Sequence, residues 1–460
     1  MKKKAFSKTF YQNLTLSLTC IAFICMPEVY GQSADTLLLS IDSARSMAIE
    51  YNFQVKNANK DFEISQKKIW ETIAIGLPQI SASASFQYNI DIMAQLLPDK
   101  YFGGPEGELM EIKFGTEYNV NGAVKVSQLL FDGGYIVGLQ AAKIYSELAL
   151  NNIEKTETTV KNMVSRTYFA ARMFRENRDI TIENLNNIKK TLLETEQQYK
   201  AGFADEIKLD QLRLTEANLS NALLNLDRQV LLTEQLLKFQ IGIDLAQPII
   251  LTNSLENLMD GLLLENLLVK EFVADNHIDM RLIKTQEELK ILSLRREKAS
   301  LIPSMSAFFS HQQSALRNEF NFGEQWKPWY PTTMVGVSLN IPIFSSGMRM
   351  AKVSQAKLEV EKVNNLRLQT EQSLQLDVIN IKAELQTAYE KYEVEKGNME
   401  LAKKILRHTE AKFNSGMASS MELTQANDQL LKAQSNYFSA IFNVLDAYKK
   451  LETALGVSNK

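Results

Sequence analysis

The stretch Leu77-Pro78-Gln79-Ile80-Ser81-Ala82-Ser83 returns as Ile302-Pro303-Ser304-Met305-Ser306-Ala307-Phe308, 225 residues later. Working outward, Phe131-Asp132-Gly133-Gly134 returns as Phe344-Ser345-Ser346-Gly347 at a spacing of 213. Tyr199-Lys200-Ala201-Gly202 matches Phe413-Asn414-Ser415-Gly416, and Ile241-Gly242-Ile243 matches Leu455-Gly456-Val457, both at 214. Four landmarks in one order make the chain two copies of one unit. The copies span 32–243 and 263–460, with a linker over 244–262 that carries Pro248. The fall in spacing after the proline places a longer insert in the first copy, at roughly 93–117.

After each proline the periodicity becomes two residues. Ala82, Ala84, Phe86, Tyr88, Ile90 and Ile92 alternate with Ser81, Ser83, Ser85, Gln87, Asn89 and Asp91, so one face meets an apolar medium and the other meets water. The returning strand sets Tyr118, Val120, Val124 and Val126 against Asn119, Asn121, Lys125 and Ser127, and the second copy repeats the pattern with Val335, Val337, Leu339 and Ile341. Each copy thus predicts a hairpin, about 80–130 and 304–343, of strands long enough to cross an outer membrane at a tilt. A soluble hairpin or sandwich edge is the competing reading. Aromatics near the strand ends (Tyr118, Phe131, Trp326, Trp329, Tyr330 and Phe344) favour the membrane, as an interfacial girdle. Four strands cannot close a barrel, and lipid does not tolerate open edges, so other copies of the chain must complete it.

The rest reads as helix. Residues 106–247 and 343–460 contain no proline, the residue that breaks helix interiors at about 3 kcal/mol. Helices over about 135–200 and 348–414 would each be a rod of about 100 Å. Shorter helices return over about 205–240 and 419–455, making hairpins with tips near 202 and 416. In the last helix Leu423, Leu430, Tyr437, Val444 and Leu451 interleave with Ala426, Ala433, Ala440, Ala447 and Ala454, the 3,4 spacing of a coiled-coil seam. The first copy is less regular, with Leu219, Leu223, Leu226, Val230 and Leu237. Helices also precede each proline, about 41–75 and 265–301. The fold class is mainly α, long coiled-coil hairpins plus four transmembrane β-strands per chain.

Residues 1–31 read as a secretory signal: Lys2, Lys3, Lys4 and Lys8, then the apolar Leu14–Met26, then Val29-Tyr30-Gly31. Both cysteines, Cys20 and Cys25, lie inside it. Removing the segment takes away those four lysines and Glu28, which moves the net charge from −3 to −6 and argues against a nucleic-acid binder. The three histidines, His277, His311 and His408, lack metal-ligand spacing. No phosphate loop, no nucleophile elbow and no acidic pair set in a plausible cleft is found, so no enzyme activity, metal or cofactor is expected.

These residues resemble the TolC-like outer-membrane efflux family across essentially the whole mature chain. The resemblance rests on the doubled unit, the Leu-Pro-Gln-Ile-Ser-Ala-Ser-Ala-Ser lead into a strand, the Val-Ser-Gln-Leu-Leu-Phe-Asp-Gly-Gly exit and the Tyr-Lys-Ala-Gly tip. It implies a homotrimer with a 12-stranded barrel in the outer membrane of a Gram-negative cell and a helical tunnel in the periplasm. It also implies work as the exit duct of a tripartite pump or type I secretion system, beside a periplasmic adaptor and an inner-membrane RND, ABC or MFS transporter. Within the resemblance, tips at Gly202-Phe203 and Gly416-Met417 meet the adaptor, and acidic positions at the tunnel entrance hold Glu422 and Gln425. The family's closing network falls on Phe413, Ala418 and Lys208, which cannot form it, so a Lys208–Glu422 pair is expected instead. The family's Asn-Pro is represented by Asn52-Phe53 and Asn276-His277. A secreted coiled-coil structural protein or adhesin is the alternative function.

Overall fold

The computed structural model describes residues 36–103, 105–107, 109–324 and 327–457. The signal segment with its cysteines, and Trp326, lie outside the described residues. Strand β1 (Leu37–Leu39) leads into helices α1 (Ile41–Tyr51) and α2 (Phe53–Ile75), so the single helix expected over 41–75 is two. Asn52 leaves helical geometry (φ −60°, ψ 133°), and its side chain accepts from Gln54 N and Val55 N, pairing donors that a helix start leaves open. Next come β2 (Gln79–Tyr88), β3 (Ala94–Pro98), β4 (Leu109–Lys113) and β5 (Tyr118–Phe131). The insert is folded, since β3 and β4 pair with each other, and β2 stops at Tyr88, short of Ile90 and Ile92. Helices α3 (Gly133–Lys200) and α4 (Glu206–Ile241) make the first long hairpin.

The linker holds β6 (Ile249–Leu251) and α5 (Leu255–Asp260), and the second copy opens with α6 (Leu264–Val269). Strand β6 runs parallel to β1, Leu37 against Ile249, so the stretch 244–262 is tied back to the start of the first copy. The second copy supplies α7 (Ile278–Ala299), β7 (Ser304–Arg317), β8 (Tyr330–Asn340), α8 (Met348–Asn414) and α9 (Ser420–Ala454). The single helix expected over 265–301 is broken: α6 covers only its start, and the long helix begins at Ile278, capped by His277. His277 lies 225 residues after Asn52, the spacing of the two prolines. The caps correspond, and matching Asn52-Phe53 to Asn276-His277 is one residue out of register.

Strands β2, β5, β7 and β8 form one antiparallel sheet in that order, and α2, α3, α7 and α8 pack side by side in the same order. Each helix thus holds the same place in its layer as the strand to which it is joined in sequence. Helix α4 packs on α3, and α9 packs on α8, α3 and α4. Along α9, Leu423, Ala426, Leu430, Ala440, Val444, Ala447 and Leu451 are buried, with Ala433 and Tyr437 at the edge. Each such leucine stabilises the bundle by about 1.5–3 kcal/mol. In α4 only Leu219, Leu226 and Leu237 of the expected stripe are buried. A second core of Leu39, Val164, Tyr168, Ile241, Leu251 and Ile441 joins the β1–β6 belt to both hairpins.

Candidate functional site

The sheet has two chemically distinct faces. Register pairs put Ser81 opposite Lys125, Ser85 opposite Asn121 and Gln87 opposite Asn119, and these continue to Ser310, Ser314 and Leu316 of β7. Gln312 Nε2 donates to Asn121 Oδ1 at 3.3 Å across the same face. The other face carries Ile80, Ala82, Ala84 and Phe86 against Val126, Val124, Gly122 and Val120, then Val335, Val337 and Leu339 of β8. One surface suits water and the other lipid. At the outer strand ends Tyr88 stacks on Tyr118 with centroids 4.8 Å apart, and Phe86, Phe320 and Phe322 complete an aromatic cluster. Phe320 and Phe322 add to the girdle read from the sequence.

At the far end of the rods, α3 and α8 stop on glycines in left-handed geometry, Gly202 (φ 82°) and Gly416 (φ 77°). The next N–H in each case reaches back five residues: Phe203 N donates to Gln198 O and Met417 N to Lys412 O, both at 2.8 Å. This closure satisfies carbonyls the helix end would leave open. It leaves Phe203 86% and Met417 75% exposed at the two tips, unpartnered within the protomer's apolar clusters.

Behind the tips, Phe413 is buried with Leu212, Leu406, Leu423 and Leu430, and Ala418 packs against that cluster. Lys208 brings Nζ to 4.2 Å from the Phe413 ring centroid, a cation–π contact contributing about 0.5–2 kcal/mol. The same seam holds Thr215 and Thr424, whose hydroxyls are 2.8 Å apart, and Ser420, whose hydroxyl donates to Gln211 Oε1. The expected Lys208–Glu422 pair is not made within the protomer. Glu422 turns to its own helix start, where its Oε2 accepts from Ser419 N at 2.7 Å and Ser419 Oγ accepts from Glu422 N at 3.2 Å. This reciprocal capping box holds the carboxylate locally, while Lys208 lies over the aromatic ring. Gln425, one turn along, is exposed. The half-buried carboxyl of Glu410, near the end of α8, is pushed above its ordinary value by desolvation.

Among the described residues no group of His, Cys, Asp and Glu could hold a metal ion. No helix among them is long and apolar enough to cross a membrane. His277 serves as a helix cap, and His311 bonds Thr333 at 2.8 Å on the lipid face of the sheet.

No curated protein sequence matches the chain. Solved structures are similar along nearly its whole length. The Campylobacter jejuni CmeC outer membrane channel is 16% identical with a TM-score of 0.69, over 91% of this chain and 87% of that one. VceC of Vibrio cholerae is 14% identical with a TM-score of 0.66, over 90% and 96%. The open state of the Neisseria gonorrhoeae MtrE channel is 17% identical with a TM-score of 0.68, over 90% and 88%. A family model described as outer membrane efflux protein matches residues 44–242 and 283–457, nearly all of both copies. The chain, two strand-and-rod units ending in a lipid-facing sheet, belongs to the outer membrane efflux protein family.

Proposed function

We propose that this outer-membrane channel, with most of its mass in the periplasm, is the exit duct of a tripartite efflux pump or type I secretion system. It would dock on a periplasmic adaptor and, through it, serve an inner-membrane transporter of RND, ABC or MFS type. One observation carries the reading: strands and helices keep the same lateral order, so the polar strand face and the helix layer beneath it bound one continuous passage. Strands β2 and β8 each have one open edge, which neighbouring chains of the trimer close into a 12-stranded barrel. Gly202, Phe203, Gly416 and Met417 form the adaptor contact, with Phe203 and Met417 as apolar anchors on rigid helix ends. Lys208, Phe413, Ala418, Glu422 and Gln425 form the tunnel entrance, where three Glu422 carboxylates would favour cations.

An adhesin explains the rods but gives the polar strand face no use. Heat-modifiable trimers in the outer-membrane fraction that open steady pores in planar bilayers support the duct, and a soluble periplasmic monomer sinks it. Deleting the gene and comparing drug sensitivity with protein secretion distinguishes pump from secretion system.

A further inference from the structure

We propose that the outer part of the duct prefers anionic solutes and that Lys125 is the side chain that sets the preference. This rests on the duct reading above. Across the four barrel strands only Lys125 and Arg317 carry a formal charge. Arg317 is buried at the outer end of β7, where it donates to the Pro328 carbonyl at 2.8 Å. Lys125 is exposed and sits opposite Ser81 and Ser310, in the middle of the polar face. The remainder of that face is serine, threonine, asparagine and glutamine with a few apolar residues, and it holds no carboxylate. Threefold symmetry turns Lys125 into a ring of three ammonium groups, with no acid on the strands to cancel it. Low-dielectric walls focus the field of such a ring, and basic rings select anions.

The space just inside the strands has the same sign. A cavity of about 980 Å³ is bounded by Leu129, Ser304 and Asn340, all on the polar face, so it opens into the passage. Lys68, Arg296, Arg349 and Lys352 line it, against Asp132 and Glu297; Lys68 is paired with Glu71 at 2.7 Å and Arg296 with Glu297 at 3.7 Å, which leaves Arg349 and Lys352 as the excess positive charge. Asp132 is held as the cap of α3, accepting from Tyr135 N at 2.7 Å, and Arg349 donates to Ser300 O. A solute leaving the tunnel therefore meets a basic collar and then the Lys125 ring. The solute class favoured is one bearing carboxylate, sulfate or phosphate groups.

The test is ion selectivity of the purified full-length trimer in planar bilayers under a KCl gradient. It is run in the wild type and in a Glu422→Gln background, because the tip carboxylates lie in series with Lys125. The wild-type barrel in the Glu422→Gln background should pass chloride over potassium. Lys125→Gln should lower the ratio severalfold and Lys125→Glu should reverse it. Inorganic tripolyphosphate added on the barrel side should block the wild type and lose its block in Lys125→Gln, with heat-modifiable trimers retained throughout. Unchanged selectivity and equal tripolyphosphate block in all three proteins would overturn the proposal while leaving the duct intact. Failure of the wild type to form any trimeric pore would remove the duct reading itself.

Discussion

Asn52 and His277 occupy the same point of the two copies, and each caps the helix that follows by accepting from the backbone N two residues on. The contacts are Gln54 N to Asn52 Oδ1 at 2.7 Å and Asp279 N to His277 Nδ1 at 3.2 Å. Only the second cap can be switched off by a proton. Burial pushes the His277 imidazole below its ordinary value, with Lys155 and Arg281 adding to the effect and Asp279 and Asp377 opposing it. A folded value below the unfolded one means the stabilisation is fully present above the ordinary histidine value of about 6.5. It is lost as pH falls through the lower folded value. His277→Asn should keep the cap, as Asn52 does, and flatten the decline of melting temperature on acidification. His277→Ala should cost about 1 kcal/mol at neutral pH. Parallel pH profiles for wild type and His277→Asn would acquit the imidazole.

The left-handed glycines separate into two kinds. A Cβ at Gly202 (φ 82°) meets nothing within 4 Å, whereas one at Gly242 (φ 87°) would lie 2.4 Å from Tyr51 O. Gly202→Ala should cost only the backbone term, about 1–2 kcal/mol, and still yield trimers. Gly242→Ala must also displace the backbone at the α1–α2 junction, so it should unfold at clearly lower denaturant or fail to accumulate. Equal urea midpoints for the two variants would contradict this ordering.

Lys208 and Phe413 couple the two hairpins near the tips, at the proposed tunnel entrance. Lys208→Met keeps the apolar stem and removes the charge, so it should loosen the seam and raise open probability in bilayers without altering trimer assembly. A double-mutant cycle with Phe413→Leu should return a coupling of about 0.5–2 kcal/mol. Additive effects would show that the ring and the ammonium act independently.

The repeat, the strand faces and the tips were legible because each rests on a local backbone demand. Pro78 and Pro303 end helices, Gly202 and Gly416 sit at φ near 80°, where a side chain is strained, and alternation fixes which strand face is wet. What stayed illegible depends on long-range pairing. Leu37–Leu39 is too short to announce a strand, and it becomes one only against Ile249–Leu251, more than 200 residues away. Asn52 breaks a pattern whose apolar spacing runs on undisturbed, since a cap needs one side chain and no change of period. The Lys208–Phe413 contact joins non-equivalent points of the two copies, so the repeat could not foretell it. Opposite charge suggested Glu422 as the partner, but Glu422 is the third residue of α9 and its own cap competes first.

That competition gives the sharpest test of the entrance. Glu422 has two roles on the same carboxyl: it closes the capping box with Ser419, and in the trimer it supplies one charge of the proposed ring. Glutamine can still fill the box, because its side-chain oxygen accepts from Ser419 N, but it carries no charge. Alanine does neither. Glu422→Gln should therefore keep the melting temperature while reducing block by multivalent cations added from the tunnel side. Glu422→Ala should lose that block and also about 1 kcal/mol of helix-start stability. If Glu422→Gln leaves both conductance and cation block unchanged, the carboxylate is only a cap and the ring has no part in gating.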